Sequence, residues 1–186
     1  MSDVTRILSQ IESGDPKAAE QLLPLIYDEL RKLAAVRLAQ EKPGQTLQAT
    51  ALVHDAYIRL VNVEKTHGWD SRGHFFASAA EAMRQILVEN ARRKLRVRHG
   101  GERKRVELDD NDLATNLPPD DLLLLNDSID ALAVHDPAAA ALVKLRYFAG
   151  LSVEDAADSL KIQRTTAYRH WTYARAWLIS QLQSGK

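Results

Sequence analysis

Apolar and polar positions along this chain repeat with the period of a helix, and the repeat is cleanest between residues 153 and 178. Val153, Ala156, Ala157 and Leu160 fall at the spacing that gathers apolar side chains on one helix face. Ser152, with Asp155 three residues on, has capping-box chemistry, so this helix is predicted to begin at Val153 and to stop near Lys161. Ile162 then plugs a tight turn. A second repeat starts at Arg164, with Ala167, Trp171, Ala174 and Leu178 on one side and Arg164, Thr165, Tyr168, Arg169 and Thr172 on the other. A short small-residue helix, a turn, and a longer helix with a basic, hydroxyl-rich outer side predict a helix-turn-helix. Such a pair either simply packs as a helical hairpin or lays its second helix in a DNA major groove. In the second case Arg164 and Arg169 reach phosphates or guanine edges, and Thr165, Thr166 and Tyr168 hydrogen-bond to either.

Upstream, helical patterns succeed one another. Residues 4–11 read as a short amphipathic helix closed by Ser13-Gly14. Asp15-Pro16 starts another that runs to about residue 40, with Leu22, Ile26, Leu30 and Leu33 inward, and Lys42-Pro43-Gly44 breaks it. Residues 49–63 form the next, packing through Leu52, Val53, Ala56, Tyr57 and Leu60, followed by a polar loop, residues 62–73, that carries Trp69. A long helix is predicted over residues 74–98, with Phe76, Ala80, Met83 and Leu87 as its buried stripe. Two further helices, 122–134 and 137–148, precede the helix-turn-helix, the latter ended by Gly150. No strand pattern of any length occurs. The prediction is an all-α chain of two small helical domains, 1–99 and 121–186. A flexible linker over 100–120, where Pro118-Pro119 and an Asp-rich run favour extended, solvated chain, joins them.

Charge sharpens this picture. Over 186 residues the formal net charge is zero, which speaks against a uniformly basic nucleic-acid binder. The distribution is uneven, however: basic residues crowd between Arg84 and Arg105, whereas residues 107–136 hold many acids and no Lys or Arg. On the long helix Arg84, Arg92 and Arg96 share one row at intervals of four, widened by Arg93, Lys94 and Arg98. A solvated basic face is the plain reading of such a helix; its density favours binding to phosphate backbone. The acidic stretch could fold back on it. With no cysteine, disulfides, thiolate metal sites and a cysteine nucleophile are excluded. The six histidines show no metal-binding spacing, and no Gly-rich phosphate loop appears, so an enzyme is not expected and no cofactor is implied. No apolar run reaches membrane-spanning length and the first residues lack a signal-peptide pattern, so a cytoplasmic protein with no membrane partner is expected.

Three stretches, taken together, carry a resemblance. LVHDAYIRL (residues 52–60), FFASAAEAMRQILVENARRKLR (75–96) and GLSVEDAADSLKIQRTTAYRHWTYAR (150–175) occur in the order and spacing of the extracytoplasmic-function (ECF) sigma factors of the sigma-70 family. The sequence resembles that family over nearly its whole length. The resemblance implies a non-enzymatic protein that binds core RNA polymerase and promoter DNA. It implies that the first stretch, with Leu52, Val53, His54, Asp55, Tyr57, Ile58 and Arg59, docks on the polymerase. The second implies melting and reading of the −10 element: Arg84 and Gln85 match positions next to the melted strand and Arg92 and Arg93 the duplex backbone contacts, with Arg96 a further −10 candidate. His67 and Trp69 would stack on an unstacked base; for Trp69 the equal alternative is a loop anchor in the core. The third implies reading of the −35 element through Arg164, Thr165, Thr166, Tyr168, Arg169 and Thr172.

One departure from the family pattern bears on regulation. Where these proteins carry acids just before the Leu-Val of the docking helix, this chain has Leu47-Gln48-Ala49-Thr50-Ala51-Leu52. In this it is similar to a subgroup associated with serine/threonine kinases, in which phosphothreonine supplies the missing charge. A phosphate brings about −1.5 to −2 charges to a helix N-terminus that favours them. Thr50 is the first candidate and Thr46 the second, the plain alternative being that Thr50 is only an N-cap. The kinase, any anti-sigma factor and the promoter bases are left open. A free-standing helix-turn-helix regulator is the competing functional reading, and it leaves the basic long helix without a purpose.

Overall fold

The computed structural model describes residues 71–97 and 117–184. Ahead of them it describes only a scattered set, among them Ile7, Gln10, Ser13, Ala18, Ala51, residues 54–56, Ile58 and Arg59. Every regular element among the described residues is a helix: α1 (Arg72–Val97), α2 (Pro119–His135), α3 (Pro137–Tyr147), α4 (Val153–Leu160) and α5 (Arg164–Ser184). Before α1, the described residues at 6, 7, 10, 18, 51, 54–56, 58 and 59 are helical too, with Ile7, Ala18 and Ala56 buried. Ser13 donates its hydroxyl to the Gln10 carbonyl at 2.8 Å, which closes the first predicted helix at the expected place. By compactness the chain forms two units, 1–82 and 83–186, so that the division falls within α1.

α1 begins two residues earlier than the sequence pattern predicts, because Ser71 caps it. Its hydroxyl accepts from the His74 N–H at 3.1 Å, and its carbonyl accepts from Phe75 N–H at 3.0 Å. The buried stripe is kept in part: Ala80 and Met83 are buried as expected, joined by Phe75, Ala79, Ala82 and Ile86, whereas Phe76 and Leu87, expected inside, are half-buried. Phe75 and Phe76 meet edge to face, with ring centroids 5.1 Å apart.

α2 likewise starts before its expected first residue. Pro118 is extended (φ −54°, ψ 150°) and Pro119 opens the helix, with Asp120 and Asp121 in the first turn. The Pro-Pro and Asp-Asp run read as linker is helix-start chemistry at this end. Proline fixes the first helical φ without losing a bonded N–H, and the carboxylates face the positive end of the helix dipole. Asp136 ends α2 and caps α3, its Oδ1 accepting from Ala139 N–H at 2.9 Å. After α3, Gly150 takes a left-handed φ of 71° and Leu151 N–H returns to the Leu145 carbonyl at 3.1 Å.

α4 and α5 follow the pattern closely. Ser152 accepts from Asp155 N–H at 3.0 Å and donates to the Asp155 carboxylate at 2.8 Å. Lys161 adopts the left-handed conformation (φ 55°, ψ 39°) and Ile162 N–H closes on the Ala157 carbonyl at 3.0 Å, so the turn is tight enough to bring α5 straight onto α4. Leu160, expected on the inner face, is half-buried, and the buried position beside it is Ser159, whose hydroxyl bonds back to the Asp155 carbonyl at 2.8 Å. α5 packs on α2, α3 and α4 through Ala167, Trp171, Ala174 and Leu178. The two alanines are wholly buried, as are Ala156 and Ala157 opposite. Small side chains there let helix backbones approach closely. Leu125, Ile129, Leu132, Leu142, Val143, Tyr147 and Phe148 complete the core.

Candidate nucleic-acid interface

The turn at Lys161 and the inward stripe of α5 leave one side of its first three turns uncovered. Arg164, Thr165, Tyr168, Arg169 and Thr172 are all exposed there, and Thr166 sits half-buried at the flank. These side chains offer two guanidinium groups, hydroxyls and a phenol along about 12 Å of helix, the 1.5 Å rise per residue setting that span. Guanidinium donors match phosphate oxygens and guanine edges. The Thr172 hydroxyl donates to the Tyr168 carbonyl at 2.9 Å, which leaves its oxygen an acceptor toward solvent.

α4 faces this row with acids of its own. Glu154 and Asp158 lie four residues apart, as do Arg164 and Tyr168 on α5. Tyr168 donates its phenol hydroxyl to Glu154 Oε1. Arg164 Nη2 lies 3.9 Å from Asp158 Oδ2, at the outer limit of an ion pair and open to solvent. The Tyr168 bond holds the Glu154 carboxyl below its ordinary value, helped by backbone hydrogen bonding. The same bond, with desolvation behind it, holds the Tyr168 phenol above its ordinary value. Apolar periodicity does not single out Glu154 and Asp158; their signal in the sequence is a pair of acids at a one-turn interval on the polar side of a short helix, matched by a cation and a phenol at the same interval beyond the turn.

Further contacts fix the angle at which α5 is presented. Arg146 Nη1 donates to the Leu151 carbonyl at 2.6 Å, and its guanidinium lies 5.1 Å from the centre of the Trp171 ring. Tyr147 packs on the same indole at 5.7 Å. Arg146 thus ties the α3–α4 turn to the buried side of α5. Asp136, through its second oxygen, bonds His170 Nδ1 at 3.0 Å, so that the α3 cap also holds α5.

On α1 the expected phosphate-binding residues divide. Gln85, Arg92, Arg93, Lys94 and Arg96 are exposed. Arg84 is not: its side chain is 15% exposed and bonds Asp130 of α2 at 2.7 Å. The row from Arg84 to Arg96 passes over Val88, which is buried, so the cationic surface is the last two turns of α1. Asp130 belongs to the acidic stretch 107–136, and its bond to Arg84 is a contact of the kind expected if that stretch folds back. Among the helical residues 51, 54–56, 58 and 59, Ala51, His54, Asp55 and Ile58 fall at helical spacing and are exposed, whereas Ala56 is buried and Arg59 half-buried. Leu52, Val53, Tyr57, Thr46, Thr50, His67 and Trp69 lie outside the described residues. Among the described residues no group of three metal-binding side chains occurs, and no helix is long and apolar enough to cross a membrane.

No curated protein and no solved structure matches the chain. A family model described as ECF sigma factor does match, over residues 1–184, and the chain with its helix-turn-helix therefore belongs to the ECF sigma factor family.

Proposed function

We propose that this sigma factor brings core RNA polymerase to its promoters only after a phosphate is placed beside the docking helix. Family membership supplies the general role, an RNA polymerase sigma factor acting on promoter DNA. The specific reading assigns residues 1–99 to polymerase docking and the −10 element, the segment from 100 up to the start of α2 to a linker, and the helices from α2 onward to the −35 element. Docking would use Leu52, Val53, His54, Asp55, Tyr57, Ile58 and Arg59, and −10 recognition His67, Trp69, Arg84, Gln85, Arg92, Arg93 and Arg96. Recognition of the −35 element would use Arg164, Thr165, Thr166, Tyr168, Arg169 and Thr172.

The observation that carries the regulatory part is a local shortage of negative charge. Residues 47–52 contain two residue types with polar side chains, Gln48 and Thr50, and no carboxylate. The exposed face that follows, with His54, Asp55 and Ile58, holds one acid for a basic polymerase surface. A phosphothreonine at position 50, or second at position 46, would add about two negative charges at the start of that helix, where its dipole and free N–H groups favour them. A serine/threonine kinase is the partner this requires.

The test is capture of core polymerase by the chain before and after kinase treatment, with Thr50→Ala and Thr50→Glu alongside. The expected order is phosphorylated wild type and Thr50→Glu well above unmodified wild type and Thr50→Ala. Equal capture by unmodified and phosphorylated protein removes the switch. If Thr50→Ala responds to kinase and Thr46→Ala does not, the site is moved to Thr46.

A further inference from the structure

The DNA-facing side of α5 pairs a phenol with a carboxylate from another helix, and the direction of that bond limits what the pair can read. We propose that Glu154 and Tyr168 act together as an acceptor-only reading head, selecting a base whose exocyclic amine lies in the major groove, adenine or cytosine, on the strand that the first turns of α5 face. This rests on the sigma-factor reading of α5 given above and names the base class that one part of it recognises.

A free tyrosine hydroxyl both donates and accepts, and so does not tell an amine from a keto oxygen. Here its one proton is committed to Glu154 Oε1. With that proton spent, the pair offers the phenol oxygen's lone pairs and whatever carboxylate lone pairs the Glu154 backbone and Ser152 leave open, acceptors all. Adenine N6 and cytosine N4 donate in the major groove, whereas guanine O6 and thymine O4 accept. An acceptor-only head bonds the first two and meets the others with unpaired lone pairs. The ordinary values of the two groups, 4.5 and 10.0, leave the carboxyl ionised and the proton on the phenol at neutral pH, and the bond moves them further apart.

Position supports the same role. Tyr168 is 48% exposed on the second turn of α5, where helix-turn-helix proteins place base-reading side chains. Glu154 stands in the first turn of α4 and reaches Tyr168 across the motif, fourteen residues on. An unpaired carboxylate would repel DNA phosphates; one satisfied by a phenol and aimed at an amine is retained with less penalty. The neighbouring cations keep their separate task. Arg169 is exposed one residue on, with donors for phosphate or guanine.

The experiment is selection from a randomised duplex DNA library by the full chain at low ionic strength, which needs no polymerase and no modification at Thr50. It is run on wild type, Glu154→Gln, Tyr168→Phe and the double variant. Wild type is expected to enrich a motif in which one position is restricted to adenine or cytosine, with a preference on the order of tenfold. Glu154→Gln places an amide donor beside the acceptor and should admit guanine or thymine at that position and no other. Tyr168→Phe should relax the same position, and the double variant should add nothing to either. Replacing the selected base by an analogue that lacks the amine should lower wild-type binding and leave Tyr168→Phe binding unchanged. If Glu154→Gln and Tyr168→Phe select the wild-type motif, the reading head is refuted while the helix-turn-helix reading stands. If wild type enriches no motif, DNA reading by α5 fails and this inference fails with it.

Discussion

Arg84 of α1 and Asp130 of α2 form a bond of 2.7 Å in which the cation is 15% exposed and the carboxylate 53%. An ion pair this open on one side contributes at most about 1 kcal/mol. DNA phosphate can compete with the Asp130 carboxylate for the Arg84 guanidinium. Asp130→Ala is therefore expected to raise affinity for promoter DNA by a few-fold, and to steepen the salt dependence by about one phosphate contact. Arg84→Ala should flatten that dependence by a similar amount. Fluorescence anisotropy over a salt series reads both, and an Asp130→Ala protein with unchanged affinity and slope would show that the carboxylate does not compete.

Arg146 should prove a structural arginine despite its charge. Its guanidinium bonds the Leu151 carbonyl and lies over Trp171, and the planar group makes both contacts at once. Arg146→Ala is expected to cost about 2–3 kcal/mol, the sum of a charge-assisted hydrogen bond and a cation–π contact. Arg146→Lys should recover less than half of it. Urea denaturation of the three proteins gives the comparison, and a Lys variant as stable as wild type would mean the plane is unimportant.

Asp136 caps α3 with one oxygen and holds His170 with the other. Asp136→Ala should lose about 1 kcal/mol from the cap alone. Asp136→Asn, which keeps a cap oxygen, should lose less. Core truncation sets the scale for both: Leu178, wholly buried, should cost about 3–5 kcal/mol as Leu178→Ala. Thermal melts at one pH give the ranking Leu178→Ala, Asp136→Ala, Asp136→Asn.

What the sequence made legible, and what it hid, follows from the range of its rules. Periodicity located Ala167, Trp171, Ala174 and Leu178 because α5 is buried on one side only. The cap at Ser152 was legible because it is made within three residues. α1 was harder: Phe75, Phe76 and a run of alanines offer apolar residues on both faces, so periodicity placed Ala80 and Met83 inside but took Phe76 for Phe75. Pro118-Pro119 and two acids looked like linker because the same chemistry serves extended chain and helix starts. The contacts that shape the interface were out of reach altogether. Glu154–Tyr168, Asp136–His170 and Arg84–Asp130 join residues 14, 34 and 46 apart, and spacing rules end at about one turn.

The Glu154–Tyr168 bond should also write itself into the pH dependence of stability. Folding lowers the Glu154 carboxyl from its ordinary 4.5, chiefly through Tyr168, so the folded state binds fewer protons there in acid. That contribution is present above 4.5 and is lost as pH falls through the lowered folded value. Folding raises the Tyr168 phenol from its ordinary 10.0, so the folded state keeps that proton longer in alkali. Its contribution is complete below 10.0 and is lost as pH climbs through the raised value. Tyr168→Phe abolishes the bond and, with it, the phenol's alkaline limb entirely. Part of the acid limb should survive, because the backbone hydrogen bond of Glu154 remains. The stability difference between wild type and Tyr168→Phe should thus be flat between the two ordinary values and shrink beyond each, in urea midpoints measured across pH. Other groups titrate in both proteins and cancel in the difference. A difference that stays constant past both limits would mean that the hydroxyl contributes through packing and not through its proton.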